Sequence, residues 1–228
     1  MKFSDQLIEK AAPFFTEQLK KPFLQGLVNG DLPESKYLYW VKVDYPYLIN
    51  FSRILALGVT KADDLDGMRV MQSYLAWILD VEMASHEEYA KQHGITKEEL
   101  ASQRMGLIKY AYTRHELANA YSGGLVELIA GLTPCIVGWQ ILAKSLVKGR
   151  EISPTNPYKD WLDMYSSDVN LGDHTKKILD LLDRLALECS HARLTRIEKI
   201  FMISEQFETI CWDAYYNEET WPNDNLFT

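Results

Sequence analysis

The sequence has few cysteines, and their spacing matches neither a disulfide framework nor a metal-binding motif. Its 228 residues include three, Cys135, Cys189 and Cys211, with no CxxC pair. An odd number of widely spaced cysteines builds neither a disulfide framework nor a zinc site of the usual spacing. We therefore expect free thiols and a protein of the reducing cytoplasm.

Long apolar runs and basic stripes are also lacking. We see no uninterrupted apolar run near the length of about 18 residues that a membrane helix needs. Acidic residues among the first ten argue against a signal peptide. The net charge is −8, with lysine and arginine scattered along the chain, whereas a nucleic-acid binder presents a basic face to phosphates. We expect no membrane partner and no nucleic-acid partner.

The alternating pattern of half-buried strands is missing, and helical periodicity runs almost throughout. Neither repeats nor low-complexity segments interrupt it, and "GREISPTNPYK" (149–159) is typical of a loop between helices. The pattern predicts an all-α fold, a single-domain bundle over residues 1–228 with roughly eight to ten helices. The longest predicted helices cover 34–60, 64–93, 124–147 and 192–219.

Aromatic residues are abundant, with 13 tyrosines and 6 tryptophans. Rings in this number can line a pocket for a flat ligand, although packing in a helical core is their commoner use.

The stretch "LTPCIVGW" (132–139) places Cys135 directly after Thr133 and Pro134. Threonine caps helices and proline fits their first turn, so the stretch predicts a helix start, or a restart after a kink. A cysteine in that turn lies at the positive end of the helix dipole, which lowers a thiol pKa. The alternative is a small side chain that fills the core, and the same packing role is our interpretation of Cys189 and Cys211.

Two stretches combine carboxylates with aromatic residues. In "VKVDYPYL" (41–48), Asp44 and Tyr47 lie three residues apart and share a helix face. In "SEQFETICW" (204–212), Glu205, Glu208 and Trp212 follow one stripe, where a carboxylate beside rings can serve as an acid. We expect a solvated role for Glu205, because Ser204 and Gln206 flank it. Solvated carboxylates on helix edges are the open alternative for all three.

Other polar residues have weaker signals. Tyr112, His115 and Glu116 form one group that could be merely structural. Glu82 and His86 lie four residues apart, and the ExxH pattern of di-iron bundles occurs once, at Glu188. Since a second copy is missing, we expect no metal, and a di-iron site is the weaker alternative.

Together these stretches resemble the TenA family, the thiaminase II or aminopyrimidine aminohydrolases, on a fold shared with haem oxygenase. The resemblance runs nearly end to end, and several matches in the same order are more specific than any one of them. The matching stretches are "PFLQGLVNGDLPESKYLYWVKVDYPYL" (22–48), "AYTRHELANAYSGG" (111–124), "LTPCIVGW" (132–139) and "FETICWDAYYNEETW" (207–221).

The resemblance implies roles for particular residues. Cys135 matches the nucleophile and Glu208 the catalytic glutamate, whereas Glu205 has no counterpart. Asp44 matches the aspartate that binds the pyrimidine ring. Tyr112 matches a tyrosine that supports both the cysteine and the substrate. The other implied pocket residues are Tyr47, Trp139 and Tyr165, and the departures from the family pattern are Pro46 and Cys211.

The resemblance also implies an activity. It predicts hydrolysis of aminomethyl-aminopyrimidine, a thiamin degradation product, to hydroxymethyl-pyrimidine and ammonia for thiamin salvage, with thiamin as a poorer second substrate. It implies a small pyrimidine as ligand, no cofactor, and a homotetramer in the cytoplasm. The alternatives are a non-catalytic pyrimidine-binding or regulatory protein and, more weakly, a di-iron oxygenase on the same fold.

Overall fold

The computed structural model describes residues 1–223, apart from the side chain of residue 170; residues 224–228 of the expected domain lie outside this part. Within it there are α-helices and no strands, so the all-α prediction is confirmed. The helices are α1 (Phe3–Gln18), α2 (Pro22–Asn29), α3 (Glu34–Lys61), α4 (Leu65–Trp77), α5 (Met83–Gln92), α6 (Lys97–Ser102), α7 (Leu107–Ser122), α8 (Leu125–Thr133), α9 (Trp139–Val147), α10 (Lys159–Ser166), α11 (Asp173–Ala186) and α12 (His191–Tyr216).

Three π-helical segments interrupt these helices. Ile78–Glu82 joins α4 to α5, Pro134–Gly138 joins α8 to α9, and Asp168–Gly172 leads into α11. The stretches 64–93 and 124–147, each predicted as one helix, are therefore continuous helices. Each contains one π-helical turn. Such π turns are frequent at functional sites, and the second one contains Cys135.

Several helix ends follow from local sequence. Gly30 ends α2 with a φ of 78°, a left-handed conformation that glycine adopts without a Cβ clash. Thr96 accepts the Glu99 backbone N–H at 3.1 Å, and the Glu99 carboxylate accepts the Thr96 N–H at 2.7 Å, which forms the capping box that the spacing of Thr96 and Glu99 in the sequence predicts. Pro46 lies inside α3, which continues past it.

The core packs α3, α7, α8 and α12 against one another. The stretch Leu125–Val147 is long and apolar enough to span a membrane by composition, but 89% of it is buried inside the fold. Glu127 and Lys144 interrupt this stretch, so it is not the uninterrupted apolar run whose absence we expected. Its burial is typical of a core helix, which must be apolar on all sides.

Candidate active site

Cys135 lies in the middle of a continuous helix, not at a helix start. It is the second residue of the π segment Pro134–Gly138, and α8 runs directly into that segment. The Thr133 hydroxyl donates back to the carbonyl of Ile129 at 2.7 Å, so it caps no helix. The predicted helix start is therefore wrong, and no free N–H groups of a helix end face the sulfur.

The surroundings of Cys135 disfavour its thiolate. Burial raises the pKa of the thiol well above its ordinary value, the charge of Glu208 raises it further, and the charge of Lys109 opposes them. The side chain is nevertheless partly accessible, whereas Cys211 is fully buried, as packing requires. The prediction of a lowered thiol pKa is wrong for the free protein, so a base must take the thiol proton if this sulfur is to react.

Asp44 lies buried between two cationic groups. Lys109 Nζ is 3.5 Å from Asp44 Oδ1 and His86 Nε2 is 3.3 Å from Asp44 Oδ2, and all three side chains are almost fully buried. Burial would raise the pKa of this carboxyl, but Lys109 and His86 lower it more, so the net direction is down. The same contacts raise the pKa of His86 in spite of its burial. Asp44 is therefore held as a carboxylate.

Lys109 is the site residue that the sequence did not indicate. Its ammonium lies 3.7 Å from the centre of the Tyr47 ring. Three further rings surround it at 5.5 to 6.0 Å: Tyr112, Trp139 and Tyr215. Burial lowers the pKa of the amine, but the charges of Glu208 and then Asp44 raise it well above its ordinary value. The signal in the sequence was its position three residues before Tyr112, on the same face of α7.

Tyr47 and Glu116 form a second buried contact. The Tyr47 hydroxyl donates to Glu116 Oε1 at 2.9 Å, and its ring stacks on Tyr112 at 5.9 Å between centroids. Burial raises the pKa of Glu116 well above its ordinary value, against the charge of Lys109, and so favours the protonated form. Glu116 thus belongs to the site. His115 is only half buried, and its Nε2 lies 3.2 Å from the backbone carbonyl oxygen of Ile200.

Trp139 connects the cysteine-bearing helix to α12. Its indole N–H donates to Glu208 Oε2 at 2.9 Å. Its ring packs against Trp212 at 4.9 Å and Tyr165 at 5.1 Å. The Tyr165 hydroxyl in turn donates to Glu82, whose pKa burial raises to about 7.

Glu205 is buried, which corrects the predicted solvated role. It is 1% exposed and accepts a hydrogen bond from Gln18 Nε2 at 3.2 Å. Gln18 Oε1 accepts the Trp212 indole N–H at 2.9 Å, so Trp212 faces Gln18 rather than Glu208. Burial raises the pKa of Glu205 well above its ordinary value. The polar neighbours of Glu205 in the sequence did not predict its exposure, because Ser204 is buried too.

Several of these residues carry a buried polar atom that has no hydrogen-bond partner within the described structure. A buried donor or acceptor left unpaired costs about 1 to 3 kcal/mol, so such a group favours a polar ligand. No set of three or more His, Cys, Asp or Glu residues within 1–223 is arranged to hold a metal ion. Among the site residues, the atoms that lack a hydrogen bond in the described structure are Asp44 Oδ1, His86 Nε2, Lys109 Nζ, Tyr112 Oη, Glu116 Oε2, Glu205 Oε1, Glu208 Oε1 and Tyr215 Oη.

The predicted site residues are thus brought together. Lys109 connects Asp44, Tyr47, Tyr112 and Trp139 through ion-pair and ring contacts. Trp139 extends this set to Glu208 and Tyr165. Cys135 lies one helical turn before Trp139 and is influenced by the charges of Glu208 and Lys109.

Comparison with known proteins identifies the family. The sequence profile of the TENA/THI-4/PQQC family matches residues 10–218. The chain belongs to this family. It is 35% identical to an aminopyrimidine aminohydrolase of Halalkalibacterium halodurans, over 97% of this chain and 98% of the relative. It is 28% identical to an aminopyrimidine aminohydrolase of Bacillus subtilis, over 99% of this chain and 94% of the relative.

Solved structures of the family share the fold. A protein described as a TenA family transcription regulator, from a Silicibacter species, superposes with a TM-score of 0.85 at 29% identity, covering 94% of this chain and 96% of that one. A TenA homologue from P. horikoshii OT3 superposes with a TM-score of 0.86 at 23% identity, covering 96% and 100%. The fold is the all-α, haem-oxygenase-like bundle of the TenA proteins.

Proposed function

We propose that this TenA-family protein is a thiaminase II-type hydrolase. It would convert aminomethyl-aminopyrimidine to hydroxymethyl-pyrimidine and ammonia for thiamin salvage. The observation that carries the proposal is the group of buried polar atoms at Asp44, Lys109 and Glu208 that lack a hydrogen bond within the described structure, beside a partly accessible Cys135. The names of the relatives support the same reaction.

Asp44 would bind the amidine edge of the pyrimidine. A carboxylate kept ionised by Lys109 and His86 accepts charge-assisted hydrogen bonds from a protonated ring nitrogen and its neighbouring amino group. Protonation makes the ring electrophilic. Tyr47, Tyr112, Trp139 and Tyr165 supply flat surfaces for packing against the ring.

Cys135 would be the nucleophile and Glu208 its proton partner. Glu208 takes the thiol proton as the sulfur bonds to ring carbon C6, which breaks the aromaticity of the ring. Glu208 then returns that proton to the departing nitrogen as the bond to the exocyclic methylene breaks. Water, deprotonated by Glu208, adds to this methylene, and loss of the thiolate restores the aromatic ring.

The remaining features of the proposal follow the family. We propose a single domain, a cytoplasmic protein and a homotetramer, with a small pyrimidine as ligand. A non-catalytic regulatory protein is the second candidate, because the Silicibacter relative is described as a transcription regulator.

A product assay separates the two candidates. Purified protein is incubated with aminomethyl-aminopyrimidine, its N-formyl derivative and thiamin, and the hydroxymethyl product is quantified. We expect turnover that Cys135→Ser abolishes, while Cys189→Ser, at a partly exposed cysteine outside the site, leaves it unchanged. Binding without turnover would support the regulatory candidate, and a Cys135→Ser variant within about tenfold of the unsubstituted enzyme would contradict covalent catalysis.

A further inference from the structure

His86, on α5, lies between two acceptors. Its Nδ1 is 3.0 Å from the backbone carbonyl oxygen of Glu82, and its Nε2 is 3.3 Å from Asp44 Oδ2. A carbonyl and a carboxylate only accept hydrogen bonds, so each ring nitrogen favours a bound proton. Burial lowers the pKa of His86, but Asp44 raises it more. The ring also packs on Trp40 at 4.6 Å, so the free protein holds an imidazolium in one orientation.

The two ring nitrogens of His86 differ in how firmly they hold their protons. Nδ1 donates to a backbone carbonyl, which cannot take the proton. Nε2 faces the Asp44 carboxylate, which can take one, and this contact lacks hydrogen-bond geometry in the free protein. Such contacts often tighten only when a ligand binds. A proton that leaves His86 would therefore leave from Nε2.

A protonated pyrimidine at Asp44 would bring a further positive charge to this place. Lys109 Nζ is already 3.5 Å from Asp44 Oδ1, and the Asp44 and His86 side chains are 2% and 1% exposed. A buried charge is costly unless it is paired. Histidine is the side chain that changes charge near neutral pH, whereas the charges of Glu208 and Asp44 hold the pKa of Lys109 well above its ordinary value in spite of burial. Of these two cations, His86 is the one that can lose its charge.

We propose that His86 supplies the proton that the pyrimidine ring carries when it is bound to Asp44. The N–H bond at Nε2 breaks, and the Asp44 carboxylate receives the proton and passes it to the ring nitrogen that it faces. Asp44 is a carboxylate before and after this transfer. His86 becomes neutral and keeps its Nδ1–H on the Glu82 carbonyl, so the total charge of the site is unchanged. The inference rests on the ring binding by Asp44 in the proposed function, and His86 acts through Asp44 as a positioning residue.

Glu82 is the other titratable group beside His86. Its charge favours the imidazolium, and burial raises the pKa of its own carboxyl to about 7. At lower pH this carboxyl holds a proton that it could also release when a cation binds. At pH 7.5 it is mostly ionised, so the test is made at that pH.

His93 provides a matched control. It directly follows α5, with Nδ1 2.8 Å from the Tyr89 carbonyl oxygen and Nε2 3.0 Å from Glu34 Oε1. Glu34, like Asp44, lies on α3, but its side chain is 72% exposed. His93→Gln therefore makes the same chemical change as His86→Gln in the same local arrangement, at the surface instead of in the site.

Calorimetric titration with the product, hydroxymethyl-pyrimidine, counts the protons. The product binds without turnover, and its ring is mostly neutral in solution at pH 7.5, so a ring that is protonated when bound must acquire a proton. Titrations in buffers of different ionisation enthalpy give the number of protons taken from solution per bound ligand. We expect less than about 0.3 for the unsubstituted protein and for His93→Gln, and more than about 0.7 for His86→Gln.

A second measurement uses the unsubstituted protein alone, and it decides the question if His86→Gln does not fold or bind. Nitrogen NMR of protein labelled with ¹⁵N in its five histidines distinguishes an imidazolium from a neutral ring that is protonated at Nδ1. We expect one histidine to change from the first form to the second when the product is added at pH 7.5.

The outcomes separate the inference from the proposed function. Uptake of about one proton by the unsubstituted protein, binding without uptake by His86→Gln, or an unchanged histidine spectrum on binding would each overturn the inference while the hydrolase proposal stands. If the product does not bind the unsubstituted protein and no substrate is hydrolysed, the proposed function fails and the inference fails with it.

Discussion

Trp139 donates its indole N–H to Glu208 across 2.9 Å, and this bond joins two segments that are distant in sequence. Trp139 begins α9 immediately after the π segment that holds Cys135, and Glu208 lies within α12. The other oxygen of Glu208 has no hydrogen-bond partner among residues 1–223. The bond therefore fixes the orientation of the carboxylate and leaves one oxygen free for proton transfer.

Removing this N–H should slow the reaction. Trp139→Phe keeps a ring at the position but loses the donor. Hydrogen bonds to charged groups contribute about 1.5 to 3 kcal/mol, so we expect kcat for the aminomethyl pyrimidine to fall by roughly ten- to hundredfold. Trp161→Phe is the control, since the Trp161 indole N–H has no partner in the described structure and its ring packs on Trp139 at 5.9 Å. Equal losses in both variants would mean that ring packing, and not the bond to Glu208, matters.

Breaking the charge cluster at Asp44 should affect binding and stability together. Asp44→Asn leaves Lys109 and His86 without their shared anion, and breaking a buried ion pair costs about 3 to 5 kcal/mol. We expect a loss of this size in the free energy of unfolding by urea, together with weaker pyrimidine binding. Asp168→Asn, at the exposed pair with Lys144, should change stability by less than about 1 kcal/mol. Unchanged ligand affinity in Asp44→Asn would show that Asp44 does not bind the ring.

The sequence predicted the helices well because their signals are local. The periodic apolar residues of 34–60, the capping box at Thr96 and the turn at Gly30 each depend on residues within a few positions. The structure follows all three. The resemblance likewise named the residues that gather in the site, because motif matches depend on sequence order alone.

The environment of those residues could not be predicted in the same way. Pro134 is typical of a helix start, but it is the first residue of a π-helical segment that continues α8 without a break. Lysines are rarely buried, so the position of Lys109 three residues before Tyr112 is a weak signal, and only the contact with Asp44 on α3 makes it a site residue. Glu205 has polar neighbours in sequence, and only the packing of α1 against α12 buries it beside Gln18. Each of these depends on tertiary contacts between distant segments.

Glu82 should make stability depend on pH. Burial raises its pKa from 4.5 to about 7, so between these values the folded protein keeps a proton that the unfolded chain has lost. The contribution of Glu82 to the free energy of unfolding is therefore highest below pH 4.5. It falls as pH rises to about 7 and is constant above that pH. The loss is on the order of 3 kcal/mol.

Glu82→Gln removes this contribution and keeps an oxygen that can accept the Tyr165 hydroxyl. Urea unfolding at pH 5 and pH 8 measures it, as the difference between the variant and the unsubstituted protein. We expect the unsubstituted protein to lose more stability between these pH values than the variant does. Parallel losses would mean that Glu82 titrates at its ordinary pKa.

Glu208 and Glu205 lie one turn apart on α12, and their surroundings predict opposite outcomes on mutation. Each has one carboxyl oxygen without a hydrogen-bond partner among the described residues, but in the proposed mechanism only Glu208 must lose and regain a proton, which an amide cannot do. Loss of an acid–base group typically costs 10²- to 10⁴-fold. Burial raises the pKa of Glu205 well above its ordinary value and so favours its protonated form, which an amide mimics closely beside Gln18. We therefore expect Glu208→Gln to lose at least about a hundredfold in kcat, and Glu205→Gln to stay within about tenfold.

Assays of both variants on the aminomethyl pyrimidine, with melting temperatures to confirm folding, decide the assignment. The reverse order of damage would transfer the acid–base role to Glu205, and equal damage would mean that the two carboxyls act as a coupled pair.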